Sequence, residues 1–327
     1  MAVYTQLGSN QLTDLIAQYE VGQLISAKGI AEGVSNSNWL IETTGTDGKG
    51  ARFILTMYER RIDLSELPFF LSLLDHLAVR PCPVPRTIHD RNGAAFRFLD
   101  GKAVALIEFL PGVSIDDPGP EHVRAVGEAL AGIHLASADF EGERENGLGP
   151  AAWRTLIGDC GKEGLAQIDP ALVSLTEQAL DAIDARWPVG LPRSIIHADL
   201  FPDNVLLLDN RVSGLIDFYF ACRDTTAYDL AVTHAAWCFD PDGRNFRHDL
   251  AAALVEGYQE VRPLSQEERE AMPVLAEGAA MRFLATRAYD WLHTPADALV
   301  TRKDPMAFAR RLQFYSEAGH AAFPSLA

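Results

Sequence analysis

Apolar positions mark out two regions of different character along the chain. Residues 38–43 (NWLIET) and 52–58 (RFILTMY) are apolar runs on either side of the loop TGTDGKGA, a hairpin pattern around a Gly-rich turn. The stretch before them, ISAKGIAEGVSNS at 25–37, reads as a Gly/Ser/Asn-rich turn. Leu67, Phe70, Leu71, Leu74 and Leu77 then follow helical spacing, and Pro81, Pro83 and Pro85 end that helix. Residues 96–99 and 103–109 form a second hairpin pattern around Asp100-Gly101. Beyond Leu110-Pro111-Gly112 the period lengthens. Val123, Val126, Leu130 and Ile133 predict one helix, and Leu172, Leu175, Ala179 and Ile183 another. The stretch 137–165 between them is Gly-rich and reads as irregular. Short apolar runs at 194–197, 204–209 and 212–220 predict a compact strand–turn–strand region. From Tyr228 onward the pattern is helical, with breaks expected at Pro241, Pro263, Pro273, Pro295 and Pro305. The expected fold class is α+β: a small β-rich lobe at 1–110 and a larger, mainly helical lobe at 111–327, with a ligand site expected between them.

Composition narrows the function. Among 327 residues, 28 Lys and Arg face 45 Asp and Glu, a net charge of −17, with 48% hydrophobic residues. Disordered chains are poorer in apolar residues, and a nucleic-acid binder needs an excess of Lys and Arg. So no nucleic-acid partner is expected. Any anionic ligand must be met by a local positive site. No apolar run approaches the roughly 18 residues of a membrane helix, and the first residues, MAVYTQLGSNQLTDL, carry no secretory signal. No membrane partner is expected, and the location expected is cytoplasmic. Cys82, Cys160, Cys222 and Cys238 are scattered without a Cys-x-x-Cys pair, against a zinc site or disulfide framework. His234 and Cys238 share a helical face, but two ligands do not make a metal site.

The chemistry concentrates at 197–204, where His197-Ala198-Asp199-Leu200-Phe201-Pro202-Asp203-Asn204 reads H-x-D-x4-N, with Asp217 following in LIDF. That set of side chains suits phosphoryl transfer. One carboxylate orients a hydroxyl and accepts its proton, while an amide oxygen and a second carboxylate hold Mg²⁺ against nucleotide phosphates.

These residues resemble the protein-kinase catalytic loop and metal-binding Asp, in the variant of the aminoglycoside phosphotransferase and choline kinase superfamily. Asp217-Phe218-Tyr219 departs from Asp-Phe-Gly in that superfamily's direction, and no Ala-Pro-Glu motif follows. The resemblance implies a protein-kinase-like bilobal fold with an interlobe ATP cleft, ATP and Mg²⁺ as cofactors, Asp199 as catalytic residue, and Asn204 and Asp217 as metal ligands. It implies a phosphate-covering loop at 29–39, with Gly29, Gly33, Ser35 and Asn36 approaching phosphate, and a hinge at 107–110 whose Glu108 and Leu110 read adenine. His134 is expected in the core, His197 as a brace of the loop, and Asp229 as a helix N-cap. One departure is clear. Thr56 stands where kinases place the Lys that grips the α- and β-phosphates, so Lys28, Arg60, Arg61 or more of the metal's charge must serve. Glu66 loses its usual Lys partner.

The strings RFILTMYERR, EGVSNSNWLIET, IIHADLFPDNVL, LIDFYFAC and TRAYDWL resemble bacterial homoserine kinases of the kinase-like type. That implies phosphoryl transfer from ATP to the side-chain hydroxyl of L-homoserine, a step toward threonine. A carboxylate substrate calls for Arg. Arg282 and Arg287 in the late helix are the candidates, with Arg223 a third. Asp203, Tyr219, Trp237 and Trp291 are available for the ammonium. Two rival readings stay open: a kinase of another small alcohol such as choline, ethanolamine, hydroxylysine, methylthioribose or an aminoglycoside, and an inactive kinase-like binding protein. Asn146-Gly147-Leu148-Gly149-Pro150-Ala151 imitates a different phosphate loop, but Pro150 removes an amide donor, so it reads as a surface loop.

Overall fold

The computed structural model describes residues 7–30, 36–59, 63–294 and 302–326. The chain divides into two compact units, Met1–Pro111 and Gly112–Ala327.

The first unit contains α1 (Ser9–Ile16), β1 (Leu24–Ile30), β2 (Asn36–Thr43), β3 (Ala51–Tyr58), α2 (Leu67–Ala78), β4 (Thr87–Ile88), β5 (Arg97–Leu99) and β6 (Lys102–Glu108). The strands form one antiparallel sheet in the order β1-β2-β3-β6-β4, with β5 also on β6. Alternation gives the sheet two unlike faces. Trp39, Ile41, Leu55, Met57, Val104 and Leu106 pack with Leu12, Leu15 and Ile16 of α1, and with Tyr19 and Val21, into the core. Cross-strand partners place Lys28, Leu40, Ile54 and Ile107, and beside them Ile30, Asn38, Thr56 and Ala105, on the other face. Asp100 and Gly101 both take positive φ (51° and 80°) between β5 and β6, the two-residue turn whose twist matches a hairpin. The 25–37 stretch is corrected: most of it is strand, β1 and the start of β2, because pairing to 38–43 outweighs its Gly and Ser content.

The second unit contains α3 (Pro120–Ala136), α4 (Pro150–Ile168), α5 (Ala171–Arg186), β7 (Arg193–Ile196), β8 (Val205–Leu208), β9 (Arg211–Leu215), β10 (Cys222–Thr225), α6 (Thr226–Trp237), α7 (His248–Val261), α8 (Gln266–His293) and α9 (Met306–Ala318). β7 pairs with β10, and β8 with β9, both antiparallel. Helices α3 and α7 touch backbone to backbone. A Cβ at Gly127 would lie 2.2 Å from the Leu254 carbonyl oxygen, and one at Gly257 2.2 Å from that of Arg124. Two expectations fail here. The stretch 137–165 is irregular only as far as 149: α4 starts at Pro150 and buries Trp153, Ile157, Cys160 and Leu165, turning at Gly161 (φ 65°). Pro273 does not break its helix. It lies buried inside α8, whose start is secured by a reciprocal cap: Ser265 Oγ accepts the Glu268 amide at 3.2 Å, and Glu268 accepts the Ser265 amide at 2.9 Å. The lost rung is outweighed by burial of Met272 through Phe283 on all sides. Among the described residues no helix is long and apolar enough to cross a membrane. All four cysteines are free thiols.

Candidate active site

The loop after β7 is held from behind by a buried carboxylate. Asp229 sits in the first turn of α6 with no solvent exposure. Its Oδ2 accepts the His197 amide at 2.6 Å, and its Oδ1 the Ala198 amide at 2.7 Å. The N-cap expectation for Asp229 is corrected: Thr225 occupies that position, and Asp229 faces the loop. His134 of α3 donates to the same carboxylate at 3.0 Å through Nε2, and its Nδ1 meets the Tyr258 hydroxyl of α7 at 2.8 Å. Burial pushes the Asp229 carboxyl up, but the His134 hydrogen bond and charge and the loop amides outweigh it and hold the group below its usual range.

His197 is fully buried and joins two loops. Its Nδ1 accepts the Asp199 amide at 3.2 Å, which leaves the proton on Nε2 to donate to the Ile216 carbonyl at 2.9 Å. Burial pushes its pKa down, so the ring is a neutral strut. Trp237 Nε1 donates to the Leu200 carbonyl at 2.8 Å. Arg282, buried on α8, donates through Nη1 to the Ala198 carbonyl. Ala198 takes φ 63°, rare for a residue with a Cβ. The amide, carbonyl and ring contacts around it fix that conformation, and with it the direction of Asp199.

The other two residues of the motif lie close by. Asn204 ends a 3₁₀ turn, Pro202–Asn204. Its Nδ2 donates to the Asp199 carbonyl at 2.8 Å, and its own carbonyl accepts the Ile216 amide at 3.0 Å. The β8–β9 hairpin returns the chain to Asp217, which has φ 64°. The charge of Asp217 acts on Asp199. Burial is the main cause that pushes Asp199 up to about 7, with the charges of Asp217 and Asp203 adding and those of Arg282 and Lys303 opposing. Burial likewise pushes Asp217 up to about 6, with Asp203 adding and the Tyr219 amide and Lys303 opposing. The Asp217 side chain is nevertheless exposed, so solvent screens part of that rise.

Asp199 and Asp217 are both raised toward neutral pH, so a nearby positive charge would favour their ionised forms. No group of three His, Cys, Asp or Glu among the described residues is arranged to hold a metal unaided. Mg²⁺ is ordinarily bound by one or two carboxylates together with substrate phosphates. The Asn204 amide oxygen accepts no hydrogen bond among the described residues. The donor set at Asn204 and Asp217 therefore fits that ion.

The remaining candidates separate. Arg282, expected at the substrate, is corrected to a position beneath the loop, where it is 1% exposed. Arg287, five residues on, is half-buried, with its guanidinium 4.4 Å over the Phe308 ring and Nη1 donating to the Asp304 carbonyl at 3.2 Å. Arg223 pairs with Glu143 and the Phe140 carbonyl. Asp203 is exposed, with Lys303 Nζ 3.9 Å away. Tyr219 is half-buried in the 3₁₀ turn Phe218–Phe220 after Asp217. Trp237 is committed to the Leu200 carbonyl.

Within the first unit, Glu108 forks onto Arg86, at 3.1 Å to both Nε and Nη2, and its amide donates to the Arg86 carbonyl at 2.9 Å. That amide is not available to a base. Leu110 follows the strand and makes no backbone hydrogen bond among the described residues. Gly29 pairs with Trp39 near the end of β1, and Asn36 begins β2 with a buried Oδ1 that has no partner among the described residues. Gly33, Ser35, Arg60 and Arg61 lie outside the described residues. Thr56 is buried and donates to Asn38 Oδ1 at 2.9 Å. Glu66 precedes α2 as its N-cap residue.

Sequence reasoning missed the loop-holding role of Asp229, and Lys303 and Tyr258 altogether. A signal existed for the first: a carboxylate amid the apolar run AYDLAVTHAA is buried and must find donors. None existed for the others, which depend on the approach of α7 and of the segment before α9.

Residues 26–264 match the family described as Phosphotransferase enzyme family. The chain belongs to the phosphotransferase enzyme family. Its relatives include the homoserine kinase of Acidiphilium cryptum (strain JF-5), 50% identical over 98% of this chain and 99% of the relative. Another is the homoserine kinase of Gluconobacter oxydans (strain 621H), 48% identical over 98% of this chain and 100% of the relative. Among solved structures, an amicoumacin kinase matches with a TM-score of 0.70 at 13% identity, covering 96% of this chain and 95% of that one. The likeness establishes the kinase-like fold for this phosphotransferase.

Proposed function

We propose that this phosphotransferase acts on L-homoserine. It is an ATP-dependent homoserine kinase, forming O-phospho-L-homoserine and ADP. The observation that carries this reading is near-50% identity to curated homoserine kinases over essentially the whole chain, joined to an intact Asp199, Asn204 and Asp217 set on one braced loop system. The intact set argues against an inactive binding protein.

The Asp199 carboxylate orients the acceptor hydroxyl and takes its proton as the oxygen bonds to the γ-phosphorus and the bond to the bridging oxygen of ADP breaks. With little covalent work for the protein, positioning and charge supply most of the rate. Asn204 Oδ1 and Asp217 would hold Mg²⁺, which supplies neutralisation of the phosphate oxygens. Leu110 offers the free backbone groups suited to an adenine edge, and Glu108 braces that segment through Arg86. Gly29 and Asn36, with Gly33 and Ser35 between them in the sequence, are the residues we assign to the phosphates. On the sheet face opposite the core, Lys28 is exposed and without an ion-pair partner among the described residues, and it is our choice for the charge that Thr56 does not carry.

ADP release from Mg-ATP, followed with L-homoserine, L-serine, choline, ethanolamine and kanamycin in parallel, tests this reading. Turnover with homoserine well above the others is expected. Turnover confined to a cationic alcohol would overturn the substrate and keep the reaction.

A further inference from the structure

An aromatic cluster beside the catalytic loop carries four cations. Phe201 of the loop, Phe283 of α8 and Phe308 of α9 lie with centroids 4.9, 6.2 and 5.0 Å apart (Phe201–Phe283, Phe201–Phe308, Phe283–Phe308). Arg282 stands 4.8 Å over Phe283, Arg287 and Arg311 4.4 and 4.6 Å over Phe308, and Lys303 5.6 Å over Phe201. In a chain of net charge −17 such a grouping asks for a purpose.

The four are not equivalent. Arg311 donates to the carbonyls of Ala235, Ala307 and Asp240, which binds it to α6, α9 and the loop after α6. Arg282 is under the Ala198 carbonyl. Arg287 makes one hydrogen bond, to the Asp304 carbonyl, and no ion pair among the described residues. A guanidinium has five N–H donors. Burial pushes the pKa of Arg287 down to about 10, and the charge of Arg311 adds to that. A half-buried cation that lacks a counter-ion is costly unless an anion is supplied. Asp199 and Asp203 are near enough for their charges to act on it. Phe308 fixes the plane of the guanidinium, and Asp304 fixes one edge. Lys303, next in the chain to Asp304, reaches toward Asp203 from above Phe201, two residues after Asp199.

We propose that Arg287, with Lys303 beside it, is the subsite that receives the α-carboxylate of the acceptor amino acid, and that Asp203 faces its ammonium. This rests on the homoserine kinase reading and specifies which residues select an amino acid over a simple amino alcohol. The planar fork matches a carboxylate in two parallel hydrogen bonds, and the aromatic backing leaves little side-chain freedom to lose on binding.

The test measures the Kd of L-homoserine by calorimetry and its KM and kcat by ADP release, for the wild type, Arg287→Met, Arg287→Lys and Lys303→Met, with thermal melting of each. Arg287→Met should raise Kd and KM at least thirtyfold, with a smaller change in kcat. Arg287→Lys, which keeps the charge and loses the fork, should fall between, and Lys303→Met should raise KM severalfold. If Arg287→Met melts early, the Lys pair of variants decides: a homoserine Kd within twofold of wild type in both overturns the proposal. So does a folded Arg287→Met with a Kd within threefold of wild type, or with equal losses in kcat and none in KM. Failure of the wild type to phosphorylate homoserine would sink the functional reading instead, and is seen before any variant is made.

Discussion

Asp199 is directed largely by residues buried behind the loop. Its backbone is fixed through Asp229 on the preceding amides, Arg282 on the Ala198 carbonyl, and Asn204 on its own carbonyl. Replacing Asp199 by Asn removes the proton acceptor we propose and keeps the shape. We expect kcat to fall about 10²–10⁴-fold with the KM for ATP nearly unchanged, as steady-state kinetics will read. Asp217 gives a second expectation. Its carboxyl is raised from 3.8 to about 6, and that of Asp199 from 3.8 to about 7. The folded protein thus holds protons that the unfolded chain releases, so these groups make stability fall as pH rises from about 4 to about 7. Asp217→Asn should therefore melt higher than wild type at pH 8 in the absence of metal and nucleotide, with the gap narrowing toward pH 4. A lower melting point at pH 8 would contradict the assignment. Asp199, Asn204 and Asp217 were legible in sequence because phosphoryl transfer demands those side chains at a spacing short enough to share a loop and hairpin. Arg282 and Arg287 were legible only as a pair. Five residues apart on one helix, they point in different directions, and only the packing of α8 places Arg282 under the loop.

At the scale of elements, the relay from Tyr258 through His134 to Asp229 exists because α3 and α7 meet at Gly127 and Gly257. A methyl at Gly127 has the Leu254 carbonyl oxygen 2.2 Å away, so the helices must part. Gly127→Ala should cost about 1–3 kcal/mol, the usual range for overpacking, read as a lower denaturant midpoint, despite Ala's better helix propensity. Lower kcat should accompany it, because the strut behind the catalytic loop shifts. The elements whose pattern is strongly periodic were legible: α2, α3, α5 and both hairpins of the first unit. The kinked α4 was not, because Gly158, Gly161 and Gly164 interrupt the helical spacing of Trp153, Ile157 and Cys160. Gly161 serves as the bend, while a Cβ at Gly164 would lie 2.8 Å from a Leu292 methyl. Pro273 misled for the opposite reason. A breaker costs about one rung and a clash, which complete burial in α8 can offset, and burial is a tertiary fact.

At the scale of the molecule, a net charge of −17 meets a polyanionic nucleotide. Long-range repulsion falls as the screening length shortens from about 30 Å at 0.01 M salt to about 8 Å at 0.15 M. The kcat/KM for Mg-ATP should accordingly rise between those concentrations, by about twofold or more, in stopped-flow or initial-rate assays. A steady fall would mean that local cations dominate the approach of the nucleotide. The sequence by itself determined the fold class and the reaction, and it singled out the three residues we propose at its centre, since periodicity, turn chemistry and a short motif are local properties of the chain. Tertiary structure decided what surrounds them: the buried Asp229 beneath the loop, the neutral His197 that links Asp199 to Ile216, and the division of labour between Arg282 and Arg287. Those depend on which donors and acceptors distant helices bring within about 3 Å, and no local pattern encodes a distance between residues a hundred positions apart.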